Sequence, residues 1–414
     1  MRTRTLLSAA ALVGLVAAGC RSNETVSPPD LTTTSGLFAR YVSMGNSITS
    51  GFQSAGINDS TQALAYPVLL AKAANAPFFY PKLNKPGCPA PFVNNVTQAR
   101  VGGAAATACA LRAPETTTSF PYLSNVAAPG FTAPNVVSPF IPTAGTAAVF
   151  AQFVLGGRSQ VAAMMVAQPT FVSLWIGNND VLGALLSSSN PGDTTLITPI
   201  AAFQSSYGAI LDSITKVGAK AVLLEVVDPR VVPYATSGTV YWCLKTGVCP
   251  GVPNAGFPAT FTVNNNCAPN AAIPGAKGDS VLVPWPVAIP RLSAAAAGAS
   301  TTIDCSVTTD VVTPAEYKAI ATATAAYNSY IVAQATQRNW AVWDPNPSLV
   351  AAKANPALVT TFPNLPSVAT GGNVTFGSYF SLDGFHPSSV THKAVADSLA
   401  SVINRYYKTT IPLP

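Results

Sequence analysis

Short apolar runs alternate with amphipathic stretches along much of the chain. Residues 37–44 (LFARYVSM), 170–176 (TFVSLWI), 219–227 (AKAVLLEVV) and 340–344 (WAVWD) are brief and largely apolar. Runs of that length, bounded by turn residues, predict strands buried on both faces. Gly-Asn follows each of the first two, and Asp228-Pro229 follows the third. Helical spacing fills much of the remainder. Residues 62–75 (QALAYPVLLAKAAN) predict a helix with Pro67 near its start or at a kink. Residues 200–217 carry Phe203, Tyr207, Ile210, Leu211 and Ile214 on one face. Residues 314–337 do the same with Tyr317, Ile320, Tyr327, Ile331 and Ala335, broken only by Thr324. Thr313-Pro314-Ala315-Glu316 opens that helix as a capping box with proline in the first turn. Residues 388–407 place Val395, Leu399, Val402 and Ile403 together. Buried strands alternating with amphipathic helices predict an α/β fold, a three-layer α/β/α sandwich around a mostly parallel sheet.

Two stretches break this rhythm. Residues 231–312 are rich in Pro, Gly and Asn, hold four cysteines and show little helical period. They read as an irregular, disulfide-braced insertion. Its Tyr241, Trp242 and Trp285 suit either a lid or acyl-binding wall or a braced surface loop. Residues 81–145 are similarly irregular.

Only 9% of the 414 residues are charged, against about 25% in ordinary soluble domains, while 49% are hydrophobic. That excludes a solvated disordered chain. The N-terminus supplies a context. In MRTRTLLSAAALVGLVAAGC, two arginines precede an apolar run that ends in small residues, the layout of an export signal. The run is too short to span a bilayer. Its end, Val16-Ala17-Ala18-Gly19-Cys20, resembles a bacterial lipoprotein box, which implies lipidation at Cys20 after cleavage. Ala17 stands where that box usually has Leu, so ordinary secretory cleavage remains the alternative. The expected organisation is a signal over 1–20, a polar tether over 21–36 and one domain over 37–414, exported and lipid-anchored to the cell envelope. Arg21 after Cys20 points to the outer membrane. The net charge of +6 falls to about +4 without Arg2 and Arg4, too dilute for a nucleic-acid partner. The sequence does not determine an oligomeric state.

Besides Cys20 there are six cysteines: Cys88, Cys109, Cys243, Cys249, Cys267 and Cys305. An even number in an exported chain predicts three disulfides. Six cysteines allow 15 connectivities, among which sequence does not choose; neighbour pairing (88–109, 243–249, 267–305) is the expectation adopted. No CxxC occurs and the histidines number two, so no metal site is expected, and the serine-based chemistry of the motifs that follow requires no cofactor.

Four short motifs carry candidate chemistry. Gly45-Asn46-Ser47 follows the first strand, where a serine can present its hydroxyl and its own N–H. Asn125 to Gly130 ends in Pro-Gly, letting a backbone N–H approach a ligand. Gly177-Asn178-Asn179-Asp180 follows the second strand, where a carboxamide can meet a developing oxyanion. Asp383-Gly384-Phe385-His386-Pro387 places a carboxylate three residues before an imidazole. His392, the other histidine, falls on the apolar stripe of its helix and reads as a packing residue. Individually each motif has an ordinary structural explanation, as a cap, turn or helix start.

Their order along the chain resembles the SGNH/GDSL superfamily of esterases and lipases, over residues 41–407. The resemblance implies Ser47 as nucleophile, His386 as base and Asp383 as its orienter. It implies an oxyanion hole from Ser47, Gly130 and Asn179. SLDGFHPSS and AAYNSYI are similar to stretches of bacterial lipoproteins in that family. Asn46 replaces the family's Asp, keeping one acceptor. Gly102-Gly103 rivals Gly130, which fits better beside Asn125 and Thr132. The implied activity is hydrolysis of carboxylic esters of lipids or acylated small molecules or glycans. A carbohydrate O-acetylesterase, and a non-catalytic surface-binding lipoprotein on the same scaffold, are the alternatives.

Overall fold

The computed structural model describes residues 30–95, 97–110, 122–138, 146–187, 189–250, 252, 254–360 and 372–414. The signal and Cys20 lie outside them, as does the predicted tether up to residue 29. Residues 30–36 are folded: Thr33 caps a helical turn at Thr34–Leu37, and the Thr34 hydroxyl accepts from Thr410 N. The first strand therefore begins later than the apolar run, because Leu37 and Phe38 are buried against a helical layer instead.

Four strands form the central sheet: β1 (Tyr41–Gly45), β2 (Phe171–Trp175), β3 (Lys220–Leu224) and β4 (Ala341–Trp343). They pair in that order, all parallel, with Tyr41 opposite Phe171, Phe171 opposite Lys220 and Ala341 opposite Val222. Alternation sends side chains to two cores. Val42, Met44, Val172, Leu174, Ala221 and Leu223 meet α4 (Gln160–Ala167), α6 (Ile200–Lys216) and α9 (Pro314–Arg338). Tyr41, Phe171, Trp175, Val222 and Leu224 meet α2 (Tyr66–Ala73) and α11 (Ser389–Tyr407). The fold is the expected three-layer α/β/α sandwich. The five α6 positions predicted to face inward are all buried. Thr324, the polar break in α9, is buried too and donates back to the Ile320 carbonyl.

The irregular stretch 81–145 contributes an element that sequence pattern missed. Residues 124–128 run parallel to β1 on its free side. Ser43 N donates to Ser124 O, Val126 N to Ser43 O, and Ala128 N to Gly45 O. The chain thus adds to one side of β1 and then crosses to β2 on the other. That reversal is a topological switch point, where open α/β sheets form their ligand crevices.

The insertion is more regular than expected. It holds α7 (Gly238–Thr246), α8 (Trp285–Ala296) and two short ladders, Ala235–Ser237 with Leu282–Pro284 and Phe261–Val263 with Thr301–Ile303. Pro286 and Pro290 hid α8; the first sits in the opening turn, where its missing N–H costs little. The disulfides join Cys88–Cys109, Cys243–Cys249 and Cys267–Cys305. Tyr241, Trp242 and Trp285 are buried in the same apolar cluster as one face of the sheet, Trp285 edge-on to Phe376 at 6.0 Å. Among the described residues no helix is long and apolar enough to cross a membrane.

Candidate active site

The first strand ends in Gly45-Asn46-Ser47 and turns directly into α1 (Ser47–Ser50). The turn is tight enough to require glycine: a Cβ on Gly45 would lie 2.6 Å from the Trp175 carbonyl oxygen. Gln160, fully buried, clamps Gly45 from both sides, its Oε1 accepting from Gly45 N (3.0 Å) and its Nε2 donating to Gly45 O (2.8 Å). Asn46 caps α1 by accepting from Ile48 N at 3.2 Å. One acceptor suffices there, so Asn serves in place of Asp. Ser47 is thereby set at the switch point with its side chain nearly enclosed, 7% exposed.

His386 reaches it from 339 residues away. Its Nε2 lies 2.9 Å from Ser47 Oγ, and its Nδ1 lies 2.9 Å from Asp383 Oδ2. Phe52 and Phe385 pack against the imidazole, with ring centroids at 4.9 and 4.7 Å. Asp383 Oδ1 accepts from His386 N (2.8 Å), Phe385 N (3.0 Å) and Ser381 Oγ (3.1 Å), while Oδ2 also accepts from Ala55 N (2.7 Å). Burial by itself would raise this carboxyl. The His386 charge and the converging donors outweigh it and hold Asp383 at about 2. Asp383 therefore stays ionised and fixes which imidazole nitrogen faces the serine.

Residues that sequence reasoning did not single out hold this carboxylate. Arg100 donates to the carbonyls of Ala55 (2.9 Å) and Ala90 (2.6 Å), steadying the turn whose N–H meets Asp383. Asn95, buried, donates to the carbonyls of Val374 and Leu382, fastening the loop that carries the Asp and His. Neither lies in a recognisable motif, and no sequence signal could have found them.

The remaining motif residues converge on the same edge. Asn125 Nδ2 donates to Thr49 O (2.9 Å), binding the 124–128 segment to α1. Gly130, exposed at φ +81°, comes two residues after Ala128, which bonds to Gly45. Asn179 lies in the first turn of α5 (Asn178–Leu186), and its Nδ2 donates one hydrogen to Phe131 O at 2.9 Å. The α5 entry requires glycine, because Gly177 sits at φ +117° with Val226 Cγ2 2.6 Å from where a Cβ would be. Next to Asn179, the Asp180 carboxylate accepts from Ala133 N at 2.9 Å, at the head of α3 (Ala133–Val137). Burial pushes Asp180 up to about 7, against hydrogen bonds from Ala133 and Thr198 that favour its charged form. Two bonds therefore lock the Gly130–Ala133 loop to the start of α5. Neither the Ser47 N–H nor the Gly130 N–H has an acceptor among the described residues. The rival Gly102-Gly103 lies in a turn beside Pro86 and Pro91.

His392 is fully buried in α11, and its Nδ1 accepts from Tyr66 N at 3.3 Å. Burial, helped by His386, holds its imidazole down at about 3, so it stays neutral as a packing residue.

No family model matches the chain, and no curated protein matches it. Two solved structures are similar over most of its length. An extracellular lipase from Streptomyces rimosus shares 13% identity at a TM-score of 0.38, covering 87% of this chain and 98% of its own. An acetylxylan esterase from Geobacillus stearothermophilus, solved as a catalytic mutant, shares 9% at a TM-score of 0.36, covering 89% and 94%. Both likenesses are remote. What defines the site is its own geometry: an α/β/α sandwich with a serine, a histidine and a carboxylate hydrogen-bonded in series at the switch point.

Proposed function

We propose that this chain is a serine hydrolase that cleaves carboxylic esters through an acyl-serine intermediate. The observation that carries the reading is His386 standing 2.9 Å from Ser47 Oγ and 2.9 Å from Asp383 Oδ2. A serine hydroxyl is a weak nucleophile near neutrality and needs a base in hydrogen-bond contact. His386 Nε2 takes the Ser47 proton as Oγ attacks the ester carbonyl, then returns it to the departing alcohol. Asp383 stabilises the imidazolium formed between these steps. The oxyanion meets the Ser47 and Gly130 N–H groups and the second Nδ2 hydrogen of Asn179. Water, deprotonated by His386, then releases the acid and restores Ser47. Export through residues 1–20, with lipid at Cys20 holding the enzyme to the outer membrane, completes the reading.

Hydrolysis of p-nitrophenyl esters by the protein and its Ser47→Ala variant tests it. Wild-type turnover with at least about a thousandfold loss in the variant is the expected result. Activity surviving in Ser47→Ala would mean a different nucleophile. Inactivity of both folded proteins on every ester would favour the binding lipoprotein instead.

A further inference from the structure

A groove of about 800 Å³, its open mouth included, begins beside the catalytic residues. Ile48, which follows the nucleophile, lines it, and so do Phe385 and Pro387 on either side of His386. From there it runs between the carboxyl ends of the strands and the outer helices, walled by Trp175, Leu182 and Trp343. None of Tyr241, Trp242 and Trp285 lines it, so the wall comes mainly from the sandwich.

The polar side chains in its lining are mostly engaged with the protein. Thr391 Oγ1 donates to the Tyr379 carbonyl at 2.6 Å, and Ser398 Oγ to the Ala394 carbonyl at 2.8 Å. Asn178 Oδ1 accepts from Val227 N at 2.9 Å while its Nδ2 has no partner among the described residues, Trp175 Nε1 donates to the Glu225 carbonyl at 3.0 Å, and Ser348 is exposed on α10 (Asn346–Lys353). A sugar needs many free donors and acceptors along its length, and this lining offers few. An alkyl chain needs only dry apolar walls.

Resting on the esterase reading, we infer that the groove holds the acyl chain of the ester, and that the substrates are esters of medium- to long-chain fatty acids. The acyl group is the part that stays bonded to Ser47 between the two half-reactions, and Ile48 joins that serine to the groove wall. Each methylene that enters leaves water, so kcat/KM rises about three- to fourfold per added CH₂ until the groove is filled. Acetate esters leave it empty.

The test uses two substrate series and two groove-filling variants. One series keeps p-nitrophenol and lengthens the acid from acetate to dodecanoate; the other keeps acetate and lengthens the alcohol. Ala394→Phe on α11 and Leu349→Trp on α10 narrow the groove from different walls, and neither touches the triad. The expected result is a rising acyl series in the wild type. In either variant octanoate kcat/KM then falls at least tenfold, while acetate changes less than threefold. A flat acyl series, equal losses on acetate and octanoate, or an effect confined to the alcohol series overturns the inference and leaves the esterase reading standing. Capture by p-nitrophenyl alkylphosphonates, read as a mass adduct on Ser47, separates the two levels. Faster capture by octyl than methyl phosphonate supports the groove; equal rates refute it; no adduct from either reagent, with no ester cleaved, sinks both readings.

Discussion

Asp383→Asn is the substitution whose consequences follow most directly from the geometry. The carboxylate serves five donors: three converge on Oδ1 and two, Ala55 N and His386 Nδ1, on Oδ2. A carboxamide has one oxygen. It will remain where three donors meet, which turns the NH₂ towards Ala55 N and His386 Nδ1. The imidazole must then accept at Nδ1 and carry its proton on Nε2, pointing at Ser47. A histidine in that tautomer cannot take the serine proton. The expected loss is about 10⁴-fold in kcat, the scale of a wrong-tautomer triad. The facing Ala55 N–H loses its acceptor, costing about 1–3 kcal/mol of stability. The pH dependence gives a second readout. Asp383 is held at about 2 against 3.8 in the unfolded chain, so its stabilisation is present above pH 4 and is lost as the pH falls towards 2. That is worth about 2 kcal/mol, and the variant will lack this part of the acid limb. Ester kinetics with thermal melts from pH 2 to 7 measure both. Activity within tenfold of wild type would refute the tautomer argument, and an unaltered acid limb would refute the assignment of charge to Asp383.

Two further outcomes concern the oxyanion side. Asn179→Ala will lower kcat by about 10²–10³-fold with a smaller effect on KM, as loss of one oxyanion donor does; steady-state kinetics on a short ester decides, and a change confined to KM would remove Asn179 from the hole. Asp180 keeps its proton to about 7 in the fold but only to about 3.8 unfolded. Stability therefore falls as pH rises from 4 to 7, by up to about 4 kcal/mol. Asp180→Asn keeps an acceptor for Ala133 N and removes that slope, which melts between pH 4 and 8 will show as a flatter profile and a variant at least as stable as wild type at pH 8. A slope unchanged in the variant would assign it elsewhere.

The layers of the sandwich were legible because burial on a periodic element leaves a periodic trace. Alternate residues of β1 enter opposite cores, and every third or fourth residue of α6 meets the sheet. Where local chemistry runs against the final state, the trace fails. Prolines masked α8, whose first turn tolerates one of them. Residues 124–128 gave no strand signal because their pairing is short and supplied by β1. The aromatic residues of the insertion left a lid or acyl wall and a braced surface loop both open, since aromatic character does not distinguish the wall of a groove from a core; in the fold Tyr241, Trp242 and Trp285 are buried.

The same division holds at the site. Sequence alone determined the residue types able to do the chemistry, because a tight strand-to-helix turn and an Asp three residues before a His are local arrangements. It also restricted the base to two histidines and placed His392 on a buried stripe. Only the tertiary structure brought Ser47 to His386 across 339 residues, tied Asn125 to α1 and set Asn179 and Asp180 against the Gly130–Ala133 loop. It alone recruited Gln160, Arg100 and Asn95, whose carboxamides and guanidinium bond to backbone atoms far away in the chain. Backbone hydrogen-bonding groups are the same at every position, so nothing in a sequence records which distant side chain will satisfy them. The groove belongs to this second category, because its walls come from elements that meet only when both cores close on the sheet.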